Sequence, residues 1–404
     1  MQRKILVFLL FILLKTQSQN IKSIQFKPIH SDSFQPITTL GKVLELSFDD
    51  LEADNKEFQY KIEHMTSDWK PSKLISNQYI NGFSTDNINN ITNSFNTLQD
   101  YTHYNIQIPN KNTVITKSGN YLISVLNDDN EIVFTRRCVF YEPSTTVGVA
   151  VYRNRGTKTI NEQQTIQLLV KYPNLHINNP SQEINVTIIQ NNNWNNAITN
   201  LKPQSFKPNV LLYNYINKTN FEAGNEFLNF DTKNIRNANL KVSHVKKEDL
   251  FNSYLYTNEP RKNKHYTYNP DINGGFIIRT LESEQEDTES DYATIHFSLN
   301  VDQPYKDKEV YIYGGFNNYV FSNENKMTYN KDKKKYESSI QLKQGFYNYK
   351  FATVDKNNTV DLTEIDGSFY ETENEYTAIV YYRTFGTNYD RAIGVGIGFF
   401  NQNN

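Results

Sequence analysis

An all-β fold, built as tandem immunoglobulin-like β-sandwich domains, is the class this sequence predicts. Three observations carry it. Short runs of β-branched and aromatic residues recur along the chain, many alternating apolar with polar. Clusters of Asn, Asp, Gly and Pro interrupt them at short intervals, and no stretch sustains a helical period beyond a short helix. Strands at short spacing with turn chemistry between them form sandwiches. At 404 residues the chain has room for two to four domains, and we expect three. Aromatics make up 14% of it, with 28 Tyr and 25 Phe against 2 Trp, enough to fill several cores. A net charge of −2 leaves no footprint for nucleic acid or an anionic membrane. Asn is abundant, and we read it as loop filling from compositional bias and not as a carbohydrate-binding or amyloid-like surface.

The N-terminus sets the compartment. Arg3 and Lys4 precede the apolar run Ile5–Leu14, and polar Lys15–Asn20 follows. A basic start before a short apolar core is the pattern of a secretory signal, too short for the roughly 20 apolar residues of a spanning helix. We expect a signal peptide over residues 1–18, cleaved before Gln19, and a soluble exported protein with no direct membrane insertion. No Cys follows the apolar core, so no lipid anchor is expected. The only cysteine, Cys138, has no partner for an intrachain disulfide, and its β-rich neighbours mark it as a small buried hydrophobe. Packing alone must stabilise the fold.

The first domain is expected over 19–145. Leu44–Phe48 alternates, Asp49–Asp50 reads as a turn, and Phe58–His64 alternates again. Pro71 breaks the next pattern, because the residue before proline is driven out of helix. Thr102–Ile108 is a strand ended by Pro109, and Asn127–Asn130 reverses Tyr121–Leu126 into Ile132–Tyr141. A middle β domain over 146–282 rests on Val147–Val151, Ile166–Tyr172, Ile184–Ile189 and Asn209–Tyr215. The acidic, weakly hydrophobic stretch 283–291 reads as a linker. A third sandwich over 292–385 ends in the aromatic run Tyr376–Tyr382, and 386–404 is read as a tail beyond it.

Candidate chemistry is sparse. His64, Asp68 and His103 are the residue types of a catalytic or metal-binding set, but their strand positions favour structural hydrogen bonding. Asp355, Asn357, Thr359, Asp361 and Asp366 follow the spacing of a calcium loop, with Val360 in place of its glycine and Asp in place of its bidentate Glu. A hairpin loop is the alternative. Arg136–Arg137, Arg383 and Arg391 suit either partner carboxylates or ordinary surface ion pairs. No catalytic residue, metal site or cofactor is assigned. The C-terminal stretch is aromatic and charged without a nucleophile or phosphate loop, so it reads as a docking end. Its candidate partner contacts are Tyr382, Arg383, Tyr389 and Arg391.

Two resemblances add to this reading. Glu309–Tyr319, running through Gly314–Gly315–Phe316–Asn317, and the hairpin Gly345–Phe351 resemble the glycogen- and starch-binding sandwich modules. Tyr319 stands where those modules carry a sugar-stacking Trp. A periplasmic glycan-binding protein, with weak glycan contact, is therefore the alternative function. Over almost the whole mature chain, motifs in one order resemble the plug protein family of the bacterial type IX secretion system. They include Phe48–Leu51, Asp68–Ser72, Tyr79–Phe83, Ser94–Thr97, Tyr101–Tyr104, Lys117–Tyr121 and Thr135–Arg137. They continue with Phe227–Asp231, Asp271–Gly275, Lys343–Tyr349, Thr372–Tyr376, Tyr381–Arg383 and Tyr389–Arg391. Met65 and Thr387–Asn388 depart from the family's pattern. The resemblance implies a non-enzymatic periplasmic stopper, peripheral to the outer membrane, whose partner is a large outer-membrane secretion barrel.

Overall fold

The computed structural model describes residues 20–31 and 33–400, so the expected signal peptide and residues 401–404 lie outside the described residues. The first unit holds β1 (Ile21–Pro28), β2 (Ile37–Thr39), β3 (Leu44–Asp50), β4 (Gln59–Met65), β5 (Ile80–Gly82) and β6 (Thr85–Asn87). It continues with β7 (Asn90–Asn93), β8 (Thr102–Ile108), β9 (Thr113–Ile115), β10 (Gly119–Leu126) and β11 (Ile132–Tyr141). These strands pair as two sheets, β1-β3-β8-β7 and β2-β11-β10-β4-β6, with β5-β9 as a separate pair. Period-two alternation sends Leu44, Leu46 and Phe48 from one sheet into a core shared with Tyr60, Ile62, Tyr121 and Ile123 from the other. Cys138 is buried in that core, and burial pushes its thiol well above the usual range.

The second unit starts with β12 (Thr146–Arg153), β13 (Gln163–Lys171), β14 (Ile184–Gln190), β15 (Asn193–Leu201), β16 (Ser205–Lys207), β17 (Val210–Tyr213) and β18 (Asn220–Glu222). The third unit then interrupts it. Its strands are β19 (Leu228–Asp231), β20 (Val242–Lys247), β21 (Phe251–Leu255), β22 (Phe276–Ile278) and β23 (Tyr292–Asn300). They are followed by β24 (Lys308–Tyr313), β25 (Lys326–Asn330), β26 (Lys335–Lys343), β27 (Gly345–Asp355) and β28 (Val360–Asp361). The chain finally returns through β29 (Glu375–Tyr382) and β30 (Arg391–Phe399) to complete the second unit's sheet β15-β14-β29-β30.

This topology differs from the expected division at three places. Strands β19 and β22 pair with β27, and β21 pairs with β23, so residues from 228 onward belong with the third sheet and not the middle one. The aromatic run Tyr376–Tyr382 is β29 of the second unit, paired with β14 from Ile184–Tyr382 to Gln190–Tyr376. The stretch read as a tail contains β30, paired along the whole of β29. Local composition marks a strand but not its partner, and non-local register is what differs here. Asp49–Asp50 likewise closes strand β3 and makes no turn.

The glycines of β30 explain how the second sandwich closes. A Cβ on Gly394 would stand 1.9 Å from Thr145 Oγ1, one on Gly396 2.4 Å from the Val147 carbonyl oxygen, and one on Gly398 2.7 Å from that of Val149. Alternate glycines therefore let the backbone of β12 lie directly on β30. The connection from the first unit is held here too, where the Thr145 N–H donates to the Ile393 carbonyl at 3.0 Å. Overpacking a site this tight costs roughly 1–3 kcal/mol. Gly396→Ala is expected to lower stability by about that much, whereas Gly148→Ala, with its nearest atom at 3.7 Å, stays near wild type. Urea unfolding of the two variants side by side checks this.

Candidate partner interface

The four residues expected at a partner contact lie on one hairpin, and Tyr389 and Arg391 reach from it to the first unit. Tyr382 is buried, and its hydroxyl donates to the His176 carbonyl at 3.2 Å. Arg383 donates through Nε and Nη2 to the two oxygens of Asp390, each at 2.7 Å. Asp390 is only 1% exposed and also accepts the Ser67 N–H at 2.8 Å. Arg391 pairs with Glu142, which accepts the Ser118 hydroxyl at 2.7 Å. The ring of Tyr389 lies 5.8 Å from that of His64, with the Lys117 ammonium 5.2 Å from its centroid. Ser67, His64, Lys117 and Ser118 all belong to the first unit. These side chains fasten that unit to the β29–β30 hairpin. What they leave exposed is the loop between them, with Phe385 94% accessible.

A second junction joins the first and third units. Asp49, at 0% exposure, accepts from His103 Nδ1, Lys343 Nζ and the Tyr292 hydroxyl, each at 2.7 Å. Burial pushes its carboxyl up, but the Lys343 charge and the His103 hydrogen bond outweigh that and hold it below the usual carboxylate range. Lys343 also donates to the Asp287 carbonyl at 2.6 Å and lies 4.1 Å from the centroid of Tyr101. The Tyr101 hydroxyl donates to the Ser290 carbonyl at 2.9 Å. Asp291 accepts the Leu98 N–H at 2.8 Å and the Gln99 N–H at 3.2 Å. The acidic stretch expected to be a linker is thus docked, because its carboxylates and carbonyls answer donors of the first unit.

The second and third units meet through amides. Asn193 donates to the Tyr313 hydroxyl at 2.7 Å, and the Tyr319 hydroxyl donates to the Asn191 carbonyl at 3.0 Å. Asn191 donates to Asn374 at 2.7 Å, and Asn374 donates to Gln164 at 3.1 Å. At these positions Asn is not loop filler. Each amide both donates and accepts, so it can bridge two buried backbones.

The remaining candidates have separate partners. His64 is buried, its Nε2 3.4 Å from the Ser118 carbonyl, and burial lowers its pKa to about 4. Asp68 pairs with Lys70 at 2.7 Å, and His103 with Asp49, so the three do not assemble into one set. In the calcium-like loop, Asp355 accepts the Asn357 and Thr359 N–H groups, both at 2.8 Å, and Asp366 pairs with Arg261 at 2.8 Å. The carboxylates there hold a hairpin turn between β27 and β28. Asp50, Glu52 and Asp54 form an acidic trio, but Lys56 pairs with each of them.

With this geometry in hand, the comparisons are informative. The family model described as the type 9 secretion system plug protein 1st domain matches residues 21–142, the span of the first sandwich. A crystal structure of a hypothetical protein from Parabacteroides merdae is 33% identical, covers 95% of this chain and 98% of its own, and superposes with a TM-score of 0.90.

The chain belongs to the type IX secretion plug family.

A type II cohesin dyad from the ScaA scaffoldin of Acetivibrio cellulolyticus, at 9% identity and a TM-score of 0.17, bears on neither fold nor function. No curated protein matches the chain. Within this plug-family fold, Tyr319 is 7% exposed, with its hydroxyl fixed to the second unit at Asn191, unlike an open sugar-stacking ring. The likeness to glycogen-binding modules therefore does not extend to a binding face at Tyr319.

Removing one partner of a buried ion pair costs roughly 3–5 kcal/mol, because the other charge is stranded. Asp49→Ala should lose about that much stability, and the double variant Asp49→Ala/Lys343→Met should recover part of the loss. Urea denaturation of both variants and of Lys343→Met alone checks the coupling.

Proposed function

We propose that this plug-family protein is a non-enzymatic stopper in the periplasm, sealing the periplasmic mouth of the type IX outer-membrane translocon barrel at rest. The observation that carries the reading is the plug first-domain match over residues 21–142. The interlocking of the units supports it. A stopper must resist deformation under load, and the Asp49–Lys343 pair, the Ser67–Asp390 hydrogen bond and the Asn193–Tyr313 hydrogen bond join the three units pairwise. Among the described residues, no helix is long and apolar enough to cross a membrane.

The contact we assign at the C-terminal end is the loop Thr384–Asn388. Arg383 and Arg391 build that loop from within, and Phe385 is the group it presents, a large apolar side chain of the kind that anchors interfaces. Affinity purification of a tagged copy from its native envelope tests the reading. A very large outer-membrane barrel should accompany it in stoichiometric amount, and recovery of the protein alone would count against the stopper role. Phe385→Ala should keep wild-type stability and weaken barrel recovery roughly 10-fold, the scale of a central apolar anchor.

A further inference from the structure

Where the three units meet they leave a cavity of about 600 Å³. That volume falls within the roughly 300–1,000 Å³ of ligand sites. One wall is made by two edge strands of the first sandwich. β1 is paired only with β3, and β11 is covered on its outer side by β2 only at Val139–Tyr141. Residues Ile24–Lys27 of β1 and Thr135–Arg137 of β11 face the cavity. The β14–β15 turn and two turns of the third unit complete it.

Its charge is lopsided. Arg136 has one hydrogen bond among the described residues, from Nη1 to the Thr135 carbonyl at 2.9 Å, and no carboxylate within ion-pair distance. Arg137 lies 4.8 Å from the ring of Trp69 and has no carboxylate partner among the described residues either. The Arg136 guanidinium lies 5.3 Å from the centroid of the Phe134 ring, and burial lowers its pKa to about 10. Lys27 at the same wall donates to Gln25 at 3.2 Å. Among the described residues the one carboxylate lining the cavity, Glu375, is tied to Gln35, and burial raises its pKa. Flat apolar faces come from Phe34 and Trp194.

We propose that this cavity binds an extended, acidic segment of a partner polypeptide, added as a strand to the open edge of β11 with its carboxylates on the face that carries Arg136. Free strand edges offer a repeating row of backbone donors and acceptors, which a peptide satisfies and a sugar does not. Planar guanidinium groups without partners match carboxylates bidentately. This inference is independent of the stopper role, since no residue of the loop Thr384–Asn388 lines the cavity.

The chain's two tryptophans report on the site directly. Trp194 lines the cavity, and its ring stands edge-on to Trp69 at 4.7 Å. Titration of the full chain with an acetylated, amidated (Val-Glu)₃ peptide should change tryptophan emission saturably. The (Val-Gln)₃ counterpart, and Arg136→Gln with the acidic peptide, should each bind roughly 10-fold more weakly, as expected when a desolvated charge pair loses one member. Arg137→Gln, at an exposed position, should weaken binding by a smaller factor and serves if Arg136→Gln does not fold. N-methylation of alternate peptide amides should abolish binding. No saturable change up to millimolar peptide, or equal binding of the glutamine peptide, would overturn the proposal. So would preference for an oligogalacturonate over the peptide, which would make the site an acidic-glycan cleft.

Discussion

Asp49 is a carboxylate out of reach of water, and it stays ionised only because another unit supplies its partners. Taking such a charge out of water costs several kcal/mol unless it is paired and hydrogen-bonded. His103 comes from the same sheet as Asp49, but Lys343 and Tyr292 come from the third unit. The first sandwich therefore cannot separate from the third without stranding a buried charge on each side. The docked stretch before Tyr292 follows from this, since Asp287 and Ser290 supply the carbonyls that complete the shells of Lys343 and Tyr101.

The same logic of shared elements governs the second unit. Its sheet contains β14 from the middle of the chain and β29–β30 from its end, so the third unit is enclosed by strands of the second. Closure needs the bare backbone of Gly394, Gly396 and Gly398 against β12. Asp390, accepting the Ser67 N–H, and Arg391, paired with Glu142, then fix the hairpin to the first unit. The result is a body joined at every boundary between its units. Its unused surfaces, the loop at Phe385 and the cavity beside β11, are where it has chemistry left for partners.

Much of this was readable beforehand. Strands such as Thr102–Ile108, Gln163–Lys171 and Ile184–Gln190 carry their signal locally, in β-branched residues bounded by turn chemistry, and they overlap the runs expected at Thr102–Ile108, Ile166–Tyr172 and Ile184–Ile189. Partner choice was not readable. The run Tyr376–Tyr382 looks the same whether it pairs with β14 or with a strand of the third unit, because composition marks burial and not register. The Asp49 junction was hidden for a related reason: its members are 294 residues apart in the Asp49–Lys343 pair, and Asp49–Asp50 alone has the look of a turn. Composition marks Tyr382, Arg383, Tyr389 and Arg391 for contacts but does not name their partners within the chain, which are His176, Asp390, His64 and Glu142. Tyr, Arg and Asp in one stretch mark an interface, and the sequence does not say that the interface is internal.

The most direct test of this account is scanning calorimetry of the intact mature chain. If buried pairs and shared strands bind the three units into one cooperative body, unfolding is a single transition whose calorimetric and van't Hoff enthalpies agree. Separate transitions, with the first sandwich melting apart from the other two, would contradict it.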